Sequence, residues 1–186
     1  GINGLRKAQA NYYKERFGVS VDPEKEVIAT LGSKEGLANL AMAITAPGDV
    51  MLVPNPSYPI HPYGFMIAGG TLRHLPTLHD GIFNPEEYMR SLARAVSHSV
   101  PKPVAVVVSF PSNPTAQLCE LNFYKDLVAF AKKHELWLLS DLAYAEIYFD
   151  ENPPPSLLEV KGAKEVAVEF TSLSKTFSMP GWRMGF

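Results

Sequence analysis

The segment Val104 to Phe110, VAVVVSF, limits what this chain can fold into more than any other. It is a run of β-branched residues without polar alternation. As a strand it has to be covered on both faces, and sheets covered on both faces are parallel sheets with helices above and below. The rest of the chain supplies the parts. Leu136 to Ser140 reads as a second buried strand, and Phe123 to His134 between them has the amphipathic spacing of a crossover helix. Val50 to Val53, Thr71 to Leu75 and Val166 to Phe170 read as further strands, with one more at Val27 to Thr30. Helices are predicted over residues 3–17, 35–45 and 59–68, and from Pro85 to about Val96. The last of these has Asn84 as N-cap, Pro85 at its first position and Glu86 and Glu87 in its first turn. Such alternation gives right-handed βαβ units, hence an α/β fold of three layers, αβα, around a mostly parallel sheet. Asn152 to Pro155 marks an exposed loop rather than a linker between domains, because strand-like sequence resumes soon after it.

Composition removes several functions from consideration. Seventeen Lys and Arg against nineteen Asp and Glu leave a net charge of -2 with no block of either sign, which recommends neither nucleic acid nor an anionic membrane as partner. A single cysteine, Cys119, rules out an internal disulfide and fits a reducing, cytoplasmic compartment. The five histidines, His61, His74, His79, His98 and His134, have no metal-ligand spacing and read as ordinary core or surface residues. No apolar run approaches the ~20 residues that span a bilayer.

In a parallel sheet of this kind, ligands collect beyond the carboxyl ends of the strands, so the residues that follow each strand carry the functional argument. After 27–30 comes Gly32-Ser33-Lys34-Glu35-Gly36, opening a helix whose free N–H groups suit a phosphate; Ser33 as a plain N-cap with no ligand is the commoner explanation of such a segment. After 104–110 comes Pro111-Ser112-Asn113-Pro114-Thr115, where Asn113 is either a turn initiator or a polar group facing the site. After 136–140 comes Asp141, a poorly solvated carboxylate in need of a cationic partner, or a helix cap, with Tyr144 three residues on. After 166–170 comes Thr171-Ser172-Leu173-Ser174-Lys175, then Arg183 eight residues past the lysine. Lys175 stands among small, hydroxylated and apolar residues, where desolvation would favour a nucleophilic amine. The Arg183 guanidinium could hold a dianionic phosphate in the same cleft.

Taken together, LGSKEG, NPSYP, FPSNPT, SDLAYAEI and SLSKTFSMPGWRMGF resemble, in order and spacing, the fold type I pyridoxal-phosphate-dependent aminotransferases of the class I/II group. The resemblance covers essentially all 186 residues, and its wording is most like the alanine/glutamate and diaminopimelate-type transaminases. It implies that the chain is part of the large, cofactor-binding domain, lacking the N-terminal arm and the C-terminal small domain that carries the arginine for the substrate carboxylate. It also implies that the fragment alone is inactive or nearly so. By the resemblance, Lys175 forms the Schiff base with the cofactor aldehyde and moves the substrate α-proton, and Asp141 keeps the pyridine nitrogen protonated. Asn113 and Tyr144 hydrogen-bond the ring 3′-oxygen, Tyr58 stacks on the ring, and Ser33, Lys34, Ser172, Ser174 and Arg183 hold the phosphate. The substrates implied are an amino acid and a 2-oxo acid, with alanine, glutamate, pyruvate and 2-oxoglutarate expected, in a homodimer.

Two other readings keep the same site. One is a lyase or synthase using the same cofactor, since reaction choice depends on groups outside these motifs. The other is a transcriptional regulator that employs an aminotransferase-like domain to bind an effector, beside a DNA-binding domain elsewhere in the protein.

Overall fold

A computed structural model describes residues 1–186. In chain order the elements are α1 (Asn3–Phe17), α2 (Ser33–Ile44), β1 (Val50–Asn55), α3 (Ile60–Ile67), β2 (Thr71–Pro76), α4 (Pro85–Ser97), β3 (Pro103–Ser109), α5 (Leu121–His134), β4 (Trp137–Asp141), β5 (Ala167–Phe170) and the short α6 (Leu173–Thr176). The five strands form one sheet in the order β2-β1-β3-β4-β5, and every neighbouring pair is parallel. This is the predicted α/β, three-layer architecture. No helix is long and apolar enough to cross a membrane.

Strand side chains alternate between two cores, as the pleat requires. Leu52, Val106, Val108 and Leu138 point to one face, where α4 and α5 cover them with Tyr88, Leu92, Phe123 and Leu127. Met51, Val53, Ala105, Val107 and Leu139 point to the other, under Leu37 and Ala41 of α2 and Phe65 of α3. Burial on both faces explains why β3 carries no polar alternation. The predicted N-terminus of α4 forms as expected, with the Asn84 side chain accepting from the Glu87 N–H at 3.1 Å.

Helix α1 lies apart from these two layers and is tied down by polar contacts. The Tyr13 hydroxyl donates to Glu169 of β5 at 2.9 Å, and Arg16 pairs with Glu146 at 2.9 Å beyond β4. Glu169 also accepts from the Ser140 hydroxyl at 2.8 Å, the Leu157 N–H at 3.1 Å and the Ser156 hydroxyl. Burial raises its carboxyl above the ordinary range, while these donors pull the other way.

One predicted strand does not form. A strand needs a hydrogen-bonded neighbour along its length, and of residues 27–30 only Thr30 has one, an isolated antiparallel bridge to Gly185. The other strand and helix boundaries agree with the expected ones to within two residues, and β4 extends to include Asp141.

Candidate active site

The parallel register brings the strand ends level. Ser109 is opposite Asp141 across β3 and β4, and Asp141 is opposite Phe170 across β4 and β5. The chain leaves all three strands on the same edge, so the segments that follow them meet. There they enclose a cavity of about 170 Å³ whose wall contains each of the ten residues singled out above: Ser33, Lys34, Tyr58, Asn113, Asp141 and Tyr144, with Ser172, Ser174, Lys175 and Arg183. Two aromatic residues that follow Tyr58 in sequence do not line the cavity: Phe65 is in the core and Tyr63 is exposed.

One end of the cavity is built for an anion. Helix α2 begins at Ser33 after Gly32, whose φ of +86° is accessible to few residues other than glycine. A side chain at Gly32 would in addition collide with the Arg183 guanidinium, since its Cβ would lie 2.6 Å from Nη2. Arg183 reaches this position from a left-handed backbone, φ +50°, and donates to the Pro180 carbonyl at 3.1 Å. The structure thus concentrates free N–H groups of a helix start, a guanidinium with no carboxylate partner, and the Ser172 and Ser174 hydroxyls around one point. Lys34 extends instead over the Tyr58 ring, with Nζ 5.2 Å from its centroid.

The other end is organised by Asp141. Its Oδ1 accepts from the Ala143 N–H at 3.3 Å, and its Oδ2 is 2.9 Å from Nε2 of His61. The polar partner of this buried carboxylate in the structure is therefore an imidazole. His61 is fully buried at 0% exposure and edge-on to Tyr58, whose ring centroid is 6.0 Å away. Along the wall, Asn113 Nδ2 donates to the Tyr144 hydroxyl at 3.3 Å, and Lys175 Nζ is 5.9 Å from the Tyr144 ring centroid.

Two sequence readings need correction. His61 is no ordinary core histidine, because it is the direct partner of the site carboxylate; its position three residues after Tyr58, at the start of a helix following a strand end, was the available signal. Lys175 is not desolvated in this chain. The four-residue α6 buries none of its residues, which leaves the amine at the open edge of the cavity. Ser109, at the end of β3 and in the wall of the cavity, was passed over as part of the strand.

A family model for aminotransferases of class I and II matches residues 1–186. The chain belongs to that family. It is 64% identical over 186 residues to a putative aminotransferase AatC of Rhizobium meliloti and 50% identical to the glutamate-pyruvate aminotransferase AlaC of Escherichia coli. It is 46% identical to an LL-diaminopimelate aminotransferase of Natranaerobius thermophilus. The match takes in all of this chain but 45%, 44% and 47% of those proteins, so the chain spans about half the length of the curated relatives it matches. Among solved structures, apo-BacF of Bacillus subtilis superposes with a TM-score of 0.90 at 36% identity, and an aminotransferase of Staphylococcus aureus with 0.90 at 28%. Each superposition covers all of this chain and 48% or 47% of the other. The fold of this chain is that of the fold type I aminotransferases.

Members of this aminotransferase family use pyridoxal 5′-phosphate. The residues present fit that group on their own chemistry. The absence of a Cβ at Gly32 lets the Arg183 guanidinium approach the start of α2, where the two could grip an anion together, and an amine and a buried, hydrogen-bonded carboxylate line the same cavity.

Proposed function

We propose that this chain is the cofactor-binding part of an aminotransferase that moves an amino group between an amino acid and a 2-oxo acid. The observation that carries the proposal is the single cavity in which Lys175, Asp141 and the anion cradle of Ser33 and Arg183 meet. When bound, pyridoxal phosphate supplies an electrophilic carbon for the amine and a ring that accepts electrons from the substrate α-carbon. Arg183, the N–H groups at the start of α2 and the hydroxyls of Ser172 and Ser174 would hold the phosphate. Asp141, which accepts from the Ala143 N–H and lies 2.9 Å from His61 Nε2, would hold a proton at the ring nitrogen. Asn113 and Tyr144 would donate to the ring oxygen, and Tyr58 would cover the ring. Lys175 would anchor the cofactor through its amine and, when free, would move the proton at the substrate α-carbon as general base.

For substrates, the relation to the Escherichia coli glutamate-pyruvate enzyme supports alanine and glutamate with pyruvate and 2-oxoglutarate. A second reading, diaminopimelate with 2-oxoglutarate, is supported by the relatives named LL-diaminopimelate aminotransferase at 46% and 44% identity. The working unit proposed is a cytoplasmic homodimer.

Borohydride reduction of the purified protein with bound pyridoxal phosphate, followed by peptide mapping, tests the central assignment. The label is expected on Lys175, and its absence there sinks the proposal. Single-turnover spectra with alanine, glutamate and LL-diaminopimelate then rank the donors. Release of pyruvate and ammonia from alanine derivatives without conversion of the cofactor to its amine form would favour a lyase instead.

A further inference from the structure

Tyr12 and Arg16 stand four positions apart on α1, so the helix presents both on one face. There they converge on Glu146. The Tyr12 hydroxyl donates to its Oε1 at 2.7 Å, and Arg16 Nε donates to the same oxygen at 2.9 Å. Arg16 Nη2 also donates to the carbonyls of Ala145, at 3.4 Å, and Pro154, at 3.3 Å. Burial, and then the hydrogen bond to Glu146, push the Tyr12 hydroxyl well above its ordinary value, so it stays protonated and remains a donor. All three acceptor residues follow β4, in the segment that begins with Tyr144. Ala145 is buried with Leu142 against Tyr13 and Phe17 of α1, whereas residues 147–153 are exposed. Glu146, two positions past Tyr144, is therefore the last residue held before an exposed stretch.

The same tyrosine reaches the other side of the site. Its ring meets that of Phe177 edge-on, with the centroids 6.3 Å apart, an attractive geometry for two aromatic rings. Phe177 is where α6 ends, two residues past Lys175. Because α6 has four residues and buries none of them, the core does not hold it in place. Tyr12 itself is not part of the cavity wall.

We infer that Tyr12 is a positioning residue for the cofactor site, holding the Tyr144 segment through Glu146 and the Lys175 helix through Phe177, and so fixing the separation of phenol and amine. In the structure Lys175 Nζ is 5.9 Å from the Tyr144 ring centroid. The chemical meaning of that separation rests on the proposed cofactor reading: a phenol for the ring oxygen and an amine for the aldehyde serve one ligand only when their spacing is set. The energetics favour positioning over docking. A partly buried ion pair such as Arg16 with Glu146 adds little net stability, and the apolar contacts of Tyr13 and Phe17 already seat the helix.

Ring ¹³C spectra of Tyr144 in the cofactor-free protein test the link. Tyr12→Phe keeps the ring against Phe177 and removes only the hydroxyl, and it should shift or broaden the Tyr144 resonances. Tyr13→Phe removes the other tyrosine hydroxyl that ties α1 down, at Glu169, and should leave them in place. Resonances that stay put in Tyr12→Phe, or move equally in both variants, overturn the inference, because mere docking of α1 would treat the two alike. Titration with pyridoxal phosphate measures the consequence. Binding should weaken about tenfold in Tyr12→Phe and stay within about twofold of wild type in Tyr13→Phe; equal losses overturn the positioning role. Glu146→Ala should match Tyr12→Phe, and the double variant should be no worse than either alone, since both break one link; losses that multiply refute the route through Glu146. Phe177→Ala should weaken binding about two- to tenfold, and an unchanged dissociation constant refutes the arm through Phe177. Wild-type protein that fails to bind pyridoxal phosphate would defeat the functional reading of the cavity, while the Tyr144 spectra, recorded without cofactor, decide the link from Tyr12 separately.

Discussion

Replacing Gly185 by alanine tests the anion cradle from a distance of one residue layer. Gly185 is the point at which the C-terminal segment crosses the start of α2: it exchanges two backbone hydrogen bonds with Thr30, at 2.8 and 3.1 Å, and has no room for a side chain. A Cβ there would lie 2.5 Å from the Ser33 nitrogen, 2.7 Å from the Gly32 carbonyl carbon and 2.8 Å from the Thr171 oxygen, all main-chain atoms that no rotamer change can move aside. To restore even the 3.4 Å of an ordinary contact, the Ser33 nitrogen has to retreat by about 0.9 Å. Overpacking of this kind costs about 1–3 kcal/mol of stability. The displaced N–H is also one of those facing the proposed phosphate. Losing one hydrogen bond to a charged group costs about 1.5–3 kcal/mol, or roughly 10- to 100-fold in the dissociation constant for pyridoxal phosphate. Urea melts of the cofactor-free protein and absorbance titrations with pyridoxal phosphate measure the two effects separately. Gly181→Ala in the same loop is the control, because nothing lies within 4 Å of its Cβ and both quantities should stay near wild type. Stability within about 0.5 kcal/mol of wild type and affinity within about twofold for Gly185→Ala would refute the close-approach argument.

Three further expectations follow from other contacts. Arg183→Lys keeps the charge but loses the planar fork beside Gly32, so pyridoxal phosphate should bind about tenfold more weakly in the same titration; an unchanged dissociation constant would remove Arg183 from the cradle. Asn84→Ala removes the cap that accepts from the Glu87 N–H and should cost about 0.5–2 kcal/mol in urea melts, with most of it regained in Asn84→Asp. The buried Glu169 should impose a pH dependence: because its native carboxyl is raised above the ordinary value of 4.5, the native state holds that proton more tightly than the unfolded chain. Its contribution is fully present below pH 4.5 and is lost as the pH rises through the native value. Relative to Glu169→Gln, which does not titrate, the wild-type protein should lose stability from about pH 4.5 upward, and parallel stability curves would contradict the assignment.

The sheet and its crossover helices were legible because each is specified locally. β3 is a β-branched run with no alternation, α4 has its own cap and charges, and both appear within two residues of where pattern and capping put them. The segment 27–30 looks equally strand-like, yet whether it pairs depends on a neighbour far away in sequence, and only Thr30 finds one in Gly185. The site was legible for the same reason as the sheet. Once the strands are known to be parallel, the residues immediately after them must share an edge; Asn113, Asp141, Tyr144, Ser172, Ser174, Lys175 and Arg183 were read from such positions, and they line one cavity with Ser33, Lys34 and Tyr58. His61 also follows a strand end, but its pairing with a carboxylate eighty residues on is made only by folding.

What the amino-acid sequence determined by itself is therefore the inventory: an α/β sheet covered on both faces, and the lysine, aspartate, asparagine, tyrosines, serines and arginine placed at the strand ends. Only the tertiary structure decided how those groups are poised. It left Lys175 at the open edge, because α6 is too short to bury it. It gave Asp141 the imidazole of His61 as its partner, and it fitted Gly185 against the start of α2 so closely that no side chain can replace its hydrogen. Periodicity and capping act over a few residues, whereas burial, charge partners and close approach are set by packing between segments that the chain brings together only when folded.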